Sequence, residues 1–264
     1  MKYIFIAALC SFQAFCQSQL EVIRAAELAD GIYVSGALKH LELETVHSHD
    51  NPLFANRLAG FFNQESNTLY VVVRGTSSKL NWISDARIGS SNKIVKKIVN
   101  YLTPSKLKPY GKILDSWSQG WFEESFEDLK SASNILIRKH NGATVIFTGH
   151  SYGGIMANLL AQDAYHRFPR SKFRCHTFNA PGAAEIRSET LNMPQIAQEE
   201  LERFIFNHVR ESDLIGQWNT HEGKVHYYAN NNRWHRDAHA MAHFVKDLRD
   251  GAKPLLNEPE YIVE

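Results

Sequence analysis

The sequence predicts an α/β fold in which a mainly parallel central sheet is flanked by helices. Apolar segments of strand length alternate along the chain with segments whose apolar residues recur at helical spacing. Residues 143–148, "ATVIFT", form a continuous apolar run of the kind that is buried on both faces of a parallel sheet. This run leads directly into "GHSYGG", residues 149–154, and a helical pattern follows.

Two helices and two strands are predicted before this run. Residues 20–34 carry apolar residues at helical spacing, and residues 59–76, "AGFFNQESNTLYVVVRGT", indicate two strands joined by the turn "NQESN". The segment that follows, up to Gly120, contains Pro104, Pro109 and Gly111, which favour breaks over any long element. A helix with one apolar stripe then ends at Asn141-Gly142. The stripe consists of Phe122, Phe126, Leu129, Ile135 and Leu136.

The chain after "GHSYGG" continues the alternation. The pattern of residues 155–164 predicts a helix, and "KFRCHTFNAPG" predicts a strand closed by Pro181-Gly182. A further strand is expected in "ELERFIFNHVRESD", just before Asp213. The last helix is predicted in "DAHAMAHFVKDLRDG", where Asp237 can cap the start and Gly251 can end it. Its apolar stripe is Met241, Phe244, Val245 and Leu248.

Length and composition indicate one globular domain. A chain of 264 residues with 44% hydrophobic residues can bury a sizeable core, and no repeat or linker divides it. The formal net charge of +1, without clustered Lys or Arg, argues against a nucleic-acid partner. We therefore expect a single domain over residues 17–264.

The first 16 residues resemble a secretory signal peptide. Lys2 precedes the apolar run "YIFIAALCSFQAFC", and cleavage after Cys16 would leave Ala14 at the −3 position. A buried first helix is the alternative, and no other segment is long and apolar enough to cross a membrane. The prediction is a secreted protein, extracellular or periplasmic. Its mature chain would keep only Cys175, as a buried strand thiol.

The stretch "GHSYGG" has the form of a nucleophile elbow, Gly-x-Ser-x-Gly between a strand and a helix. Ser151 must occupy a sharp, strained turn so that its hydroxyl stands clear of the sheet. Gly149 and Gly153 are needed because side chains there would clash. A phosphate-binding loop is the alternative, but it would end in Lys-Ser or Lys-Thr, where this chain has Gly154-Ile155.

A serine nucleophile needs a base, and the base needs an acid to orient it. Asp213 follows a predicted strand and is the expected acid, with Glu211 as a weaker rival. His239 lies where a loop enters the last helix and is the expected base, with His235 and His243 as alternatives. The three histidines recur at i, i+4 and i+8, which also allows a metal site. However, "HRDAH" lacks the glutamate of a zinc protease, so no metal is expected.

A second motif, "VVVRGTSS", places Thr76 just after a strand. In hydrolases with a nucleophile elbow, the loop after an earlier strand carries one oxyanion donor. The backbone N–H and hydroxyl of Thr76, together with the backbone N–H of Tyr152, would form the oxyanion hole. This motif, "NWISD", "TGHSYGGIMANLLA", "FNAPG", "RESDLIG" and "HAMAHF" together resemble the class 3 lipases, a family that includes filamentous-fungal triacylglycerol lipases. The resemblance runs from about residue 55 to 245.

The resemblance implies an α/β-hydrolase fold and hydrolysis of lipid esters by Ser151, His239 and Asp213, without a cofactor. It also implies that Asp85 supports the oxyanion segment. Residues 77–87 would form a lid that contacts the lipid surface transiently. Leu80, Trp82 and Ile83 would give this lid an apolar face, although Trp82 is equally well explained as a core residue. Alternative activities are those of a phospholipase or galactolipase, a feruloyl-type carbohydrate esterase, or a non-catalytic lipid-binding relative.

Overall fold

The computed structural model describes residues 19–33, 38, 41–51, 56–75, 111–229 and 238–255. Several of the sequence predictions fall outside these residues: the signal peptide (1–16), the lid segment (77–87) with Trp82 and Asp85, Thr76, His235 and Asp237.

One sheet of seven strands forms the centre of the described structure, and its strand order in space equals the order in sequence. The strands are β1 (Glu44–Asn51), β2 (Asn56–Asn63), β3 (Thr68–Val73), β4 (Thr144–His150), β5 (Lys172–Phe178), β6 (Ile205–Arg210) and β7 (Lys224–Tyr228). The first two pairings are antiparallel, and the pairings from β3 to β7 are parallel. The sheet is therefore mainly parallel, as predicted. The strands β1 and β7 were not predicted.

Helices cover both faces of this sheet. They are α1 (residues 19–31), α2 (Gly111–Lys139), α3 (Tyr152–Arg167), α4 (Gln198–Leu201) and α5 (Met241–Arg249), with a π-helical turn at Ile186–Thr190. Strand residues alternate between the faces. Val71 and Phe147 join the core beneath α2 and α3, whereas Val72 and Ile146 join the core beneath α1. The result is a three-layer α/β/α arrangement.

The helix α2 differs from the sequence prediction in its start and in its stripe. It begins at Gly111 and spans 29 residues, so that Gly111 opens the helix and Gly120 lies within it. Glycine disfavours a helix interior by only about 1 kcal/mol, a cost that contacts along a long helix can offset. Ile135 is 61% exposed, whereas Leu136 and Ile137 are buried, so the apolar stripe passes through those two residues at this point of the helix. Ile135 does not belong to this stripe.

A row of stacked histidines crosses β5, β6 and β7 on the face beneath α1. The ring centroids of His176 and His208 are 5.3 Å apart, and those of His208 and His226 are 5.4 Å apart. His176 and His208 share a hydrogen bond of 3.1 Å between ring nitrogens. Glu21 lies 3.0 Å from Nε2 of His176, at one end of the row, and the Tyr228 hydroxyl lies 3.0 Å from Nδ1 of His208, its middle member.

Burial keeps part of this row neutral. Loss of hydration lowers the pKa of His208 well below 6.5, and it lowers the pKa of His226 from 6.5 to about 4. Above pH 6.5 both side chains are neutral in the folded and the unfolded chain. Below that pH the unfolded chain takes up protons that the folded chain refuses. The histidines therefore destabilise the fold as the pH falls from about 6.5 towards 4.

We expect the free energy of unfolding, measured by urea denaturation, to decrease steadily across this pH interval. Other groups also titrate in it, so the diagnostic comparison is with His226→Gln, which removes one titrating ring from the row. The pH dependence of stability should be shallower in this variant. An identical pH dependence in both proteins would contradict the proposed protonation linkage.

Candidate active site

The turn between β4 and α3 holds Ser151 in a strained backbone conformation, with φ 56° and ψ −130°. This region is almost reserved for glycine, and a serine persists there only where surrounding contacts enforce it. One contact is the hydrogen bond from Ser151 N–H to the carbonyl oxygen of Phe178, at 3.0 Å. The serine backbone is thus fixed to the end of β5, the neighbouring strand.

Glycines make this turn possible by leaving room for close backbone approaches. A Cβ atom on Gly149 would lie 2.2 Å from the carbonyl oxygen of Gly153, and one on Gly153 would lie 2.3 Å from that of Val73. Real Cβ atoms essentially never come this close to another atom, so a side chain at Gly149 or Gly153 would clash, as predicted. Gly75, which the sequence analysis did not single out, is equally constrained, since its Cβ would lie 2.6 Å from His150 O. The end of β3 is therefore pressed against the elbow.

Three polar side chains from distant parts of the chain meet at this turn. His239 Nε2 lies 3.0 Å from Ser151 Oγ, and His239 Nδ1 lies 3.0 and 2.9 Å from the two carboxylate oxygens of Asp213. A carboxylate can only accept, so Nδ1 carries the proton in the neutral ring. Nε2 is then left to accept the serine hydroxyl proton. This is the arrangement that nucleophilic catalysis by serine requires.

Asp213 is held in place by backbone groups on both sides. It lies three residues beyond β6, its side chain is 1% exposed, and its Oδ1 also accepts the N–H of Ile215 at 3.1 Å. The rival Glu211 instead continues the pairing of β6 with β7, since its N–H donates to the carbonyl oxygen of Tyr228. Of the two carboxylates considered, Asp213 is the one at His239.

His239 stands just ahead of α5, because Ala240, at the helix N-cap, is extended with φ −67° and ψ 121°. Ala238 and His239 are themselves helical, and the extended Ala240 separates this turn from α5. His243, an alternative base, lies four residues further on, within α5. Among the described residues, no three His, Cys, Asp or Glu side chains are grouped so that they could hold a metal ion.

Two side chains that sequence reasoning missed hold the backbone around His239. His150 Nε2–H donates to the carbonyl oxygen of His239 at 2.8 Å, and Asn179 Nδ2–H donates to that of Ala238 at 2.8 Å. His150 is buried, and loss of hydration, together with the neighbouring His239, lowers its pKa from 6.5 to about 3. The only sequence signal for either residue was its presence in a motif, "GHSYGG" or "FNAPG".

Tyr152 is the first residue of α3, and its side chain points away from Ser151 into the core. The hydroxyl lies 3.3 Å from Ser125 Oγ, and the ring meets Phe122 edge to face at 5.8 Å. Its part in any chemistry at Ser151 is therefore restricted to the backbone. The companion residue Thr76 lies outside the described residues, directly after Gly75.

Comparison with known proteins places this chain in a family. The sequence model for "Lipase (class 3)" matches residues 70–222. A curated lipase of Rhizomucor miehei is 33% identical over 100 residues, which cover 38% of this chain and 24% of the lipase. An uncharacterised protein of Rickettsia prowazekii (strain Madrid E) is 23% identical over 214 residues, 77% of this chain and 50% of that protein. The chain thus spans half or less of the curated relatives it matches.

Solved structures of fungal lipases share the fold. A lipase–propeptide complex from Rhizomucor miehei aligns with a TM-score of 0.53 at 16% identity, covering 88% of this chain and 79% of the other. The lipase of Rhizopus microsporus var. chinensis aligns with a TM-score of 0.50 at 18% identity, covering 80% and 74%. This likeness confirms the predicted α/β-hydrolase fold.

Gly153→Ala tests whether the elbow needs its close backbone contact. The added methyl group would lie 2.3 Å from Val73 O and 2.6 Å from Gly75 N, backbone atoms that cannot rotate away. We expect the free energy of unfolding to fall by about 2 kcal/mol or more in urea denaturation.

Gly120→Ala is the matched control for this variant. No described atom lies within 4 Å of its added methyl group. Alanine also favours a helix interior over glycine by up to about 1 kcal/mol, so this variant should be at least as stable as wild type. If Gly153→Ala were as stable as wild type, the turn would have room for a methyl group at this position, and the close backbone contact would not be required.

Proposed function

Since the chain belongs to the class 3 lipase family, we propose that it is a serine hydrolase that cleaves the carboxylic esters of lipids. Ser151 is the nucleophile, His239 the general base and Asp213 the acid that orients it. The observation that carries this proposal is the hydrogen-bonded series Ser151 Oγ–His239–Asp213, with 3.0 Å on the serine side and 2.9 Å on the aspartate side.

The first half of the reaction forms an acyl-enzyme. Ser151 Oγ attacks the ester carbonyl carbon while its proton passes to His239 Nε2. The resulting imidazolium donates that proton to the alcohol oxygen as the carbon–oxygen bond breaks. Asp213 remains ionised and stabilises the imidazolium through the Nδ1 contacts. Its near-complete burial supports this role, because a charge interaction is stronger away from water.

The second half of the reaction returns the enzyme to its starting state. The alcohol leaves, and a water molecule attacks the acyl carbon while its proton passes to His239 Nε2. The tetrahedral intermediate collapses, Ser151 Oγ leaves as the hydroxyl by taking the proton back, and the carboxylic acid is released. His239 accepts or donates the proton in every transfer of this cycle.

The oxyanion of each tetrahedral intermediate is bound by the backbone N–H groups of Tyr152 and Thr76. Two observations support this assignment. Tyr152 begins α3, where backbone N–H groups carry the positive end of the helix dipole. Gly75, the residue before Thr76, lies close enough that its Cβ would come within 3.4 Å of Gly153 N. One such donor is typically worth roughly 3–4 kcal/mol of the barrier.

Family membership and sequence also support two proposals about the rest of the chain. Residues 77–87, with Trp82 as an apolar contact and Asp85 as a support for the oxyanion segment, form a lid over the site. Residues 1–16 are a signal peptide that directs the secretion of the hydrolase domain, residues 17–264, to the extracellular space or the periplasm. Among the described residues, no helix has both the length and the apolar character needed to cross a membrane.

A substrate panel compared between wild type and Ser151→Ala tests this function. Wild type should hydrolyse p-nitrophenyl esters and emulsified triacylglycerol, and Ser151→Ala should lose about 10⁴-fold or more of this turnover. The variant should unfold at the same urea concentration as wild type, because the serine hydroxyl contributes little to packing. The same panel includes phospholipid, galactolipid and feruloylated saccharide. Faster turnover of one of these would identify it as the preferred substrate class.

His239→Ala and His243→Ala complete the panel as a pair. The first should match the loss of Ser151→Ala, and the second should keep most of the turnover, since His239 alone of the two bonds to Ser151. Substantial ester turnover in Ser151→Ala would place the nucleophile elsewhere. Wild type without activity on any ester of the panel would favour a non-catalytic lipid-binding protein.

A further inference from the structure

The backbone that carries the proposed base is held by two strands. His239 and its neighbour Ala238 precede α5, and each has a carbonyl oxygen that accepts one side-chain hydrogen bond, at 2.8 Å in both cases. The donor to Ala238 comes from the residue after β5, and the donor to His239 is the last residue of β4. Both donors are buried, so water does not compete for these bonds.

Asn179 links the base to the strand that leads to the acid. Its Nδ2–H donates to the carbonyl oxygen of Ala238, while its Oδ1 accepts the backbone N–H of Arg210 at 3.0 Å. Arg210 ends β6, three residues before Asp213. Asn179 has φ 47°, a left-handed conformation that asparagine tolerates better than most residues, and its N–H donates to His208 O at 2.8 Å. The amide therefore sets the spacing between base and acid.

His150 links the base to the nucleophile. It is bonded covalently to Ser151, and its ring donates to the carbonyl oxygen of His239, whose own ring bonds to Ser151 Oγ. These bonds close a loop of three residues, His150, Ser151 and His239, so backbone on both sides limits the distance from Ser151 Oγ to His239 Nε2. The His150 and His239 rings are 4.7 Å apart, and a neutral His150 adds no positive charge beside the imidazolium.

We propose that His150 and Asn179 are positioning residues that hold the backbone of His239 at hydrogen-bonding distance from Ser151 and Asp213. This inference rests on the proposed function for its catalytic consequence, but the geometry it describes can be measured without activity. Neither residue touches the reacting atoms in this account. Each acts through the main chain of the base.

Two variants of His150 separate positioning from simple filling of the core. His150→Phe keeps a planar ring next to Tyr33 and His239 but loses the donor to His239 O. His150→Gln lacks the ring but keeps a side-chain N–H that reaches nearly as far as Nε2 of histidine. If the ring only fills space, the phenylalanine variant is the better one. If it positions His239, the order is reversed.

Asn179→Asp provides the matching change at the second strand. Aspartate tolerates the left-handed backbone and still accepts the N–H of Arg210, but it presents a carboxylate oxygen to the carbonyl of Ala238. The bond to the base segment is therefore lost while the backbone conformation and the bond to β6 remain.

The experiment uses the full chain with isotope-labelled histidine. The ring signals of His239 are assigned by comparison with His239→Gln and recorded by NMR in wild type and the three variants. Turnover of p-nitrophenyl butyrate is measured in parallel. We expect the His239 signals to shift or broaden in His150→Phe and Asn179→Asp and to be near wild type in His150→Gln. We also expect kcat to fall by about 10²-fold in the first two variants with KM nearly unchanged, and to recover largely in His150→Gln.

The outcomes for the two proposals can be told apart. Unchanged His239 ring signals in His150→Phe and Asn179→Asp would overturn the positioning inference, whether or not the chain hydrolyses esters. Wild-type turnover in His150→Phe, with reduced turnover in His150→Gln, would also overturn it in favour of core filling. Absence of ester turnover in wild type, with Ser151 unreactive, would instead overturn the proposed function. Urea unfolding of each variant identifies any loss caused by misfolding.

Discussion

The strained turn at Ser151 is the constraint on which the rest of the site depends. A serine at φ 56° and ψ −130° is unfavourable by itself, and it is kept there by the fit of Gly149, Gly153 and Gly75 against one another's backbones. The strain has a geometric result. The hydroxyl leaves the strand direction and meets a ring nitrogen from a residue 88 positions away in the sequence. Relaxing the turn would move this hydroxyl away from the ring of His239.

The parallel part of the sheet explains how the other groups arrive. Parallel strands all end at one edge, so the residues that follow β4, β5 and β6 lie side by side: Ser151, Asn179 and Asp213. His239 lies just before α5. Hydrogen bonds from His150, at the end of β4, and Asn179, directly after β5, hold the backbone at His239 beside these strand ends. The site is thus assembled from strand ends, whereas the layers of helices on the two faces provide the rigidity.

The sequence predicted those features that have a local signature. The elbow is recognisable because its glycines and serine lie close together in sequence. The strands from β2 to β6 are recognisable because apolar residues form runs or alternate along them. The strand β1 was missed because its residues are mostly polar and none of them is buried, and β7 because it lies in a segment rich in His, Asn and Trp. His239 was chosen among 13 histidines by its place where a loop enters the last helix, a signal that left His235 and His243 as alternatives. The bonds from His150 and Asn179 to the carbonyl oxygens of His239 and Ala238 join residues 89 and 59 positions apart, and no local pattern encodes them.

The most direct test of the account is the rate at which a fluorophosphonate modifies Ser151, followed by mass spectrometry of the adduct across a range of pH. A base-activated serine should be modified quickly in wild type, more slowly as acid protonates the base, and far more slowly at every pH in His239→Ala. Labelling of Ser151 at the same rate in wild type and His239→Ala, with no dependence on pH, would contradict the claim that the turn places this hydroxyl against its base.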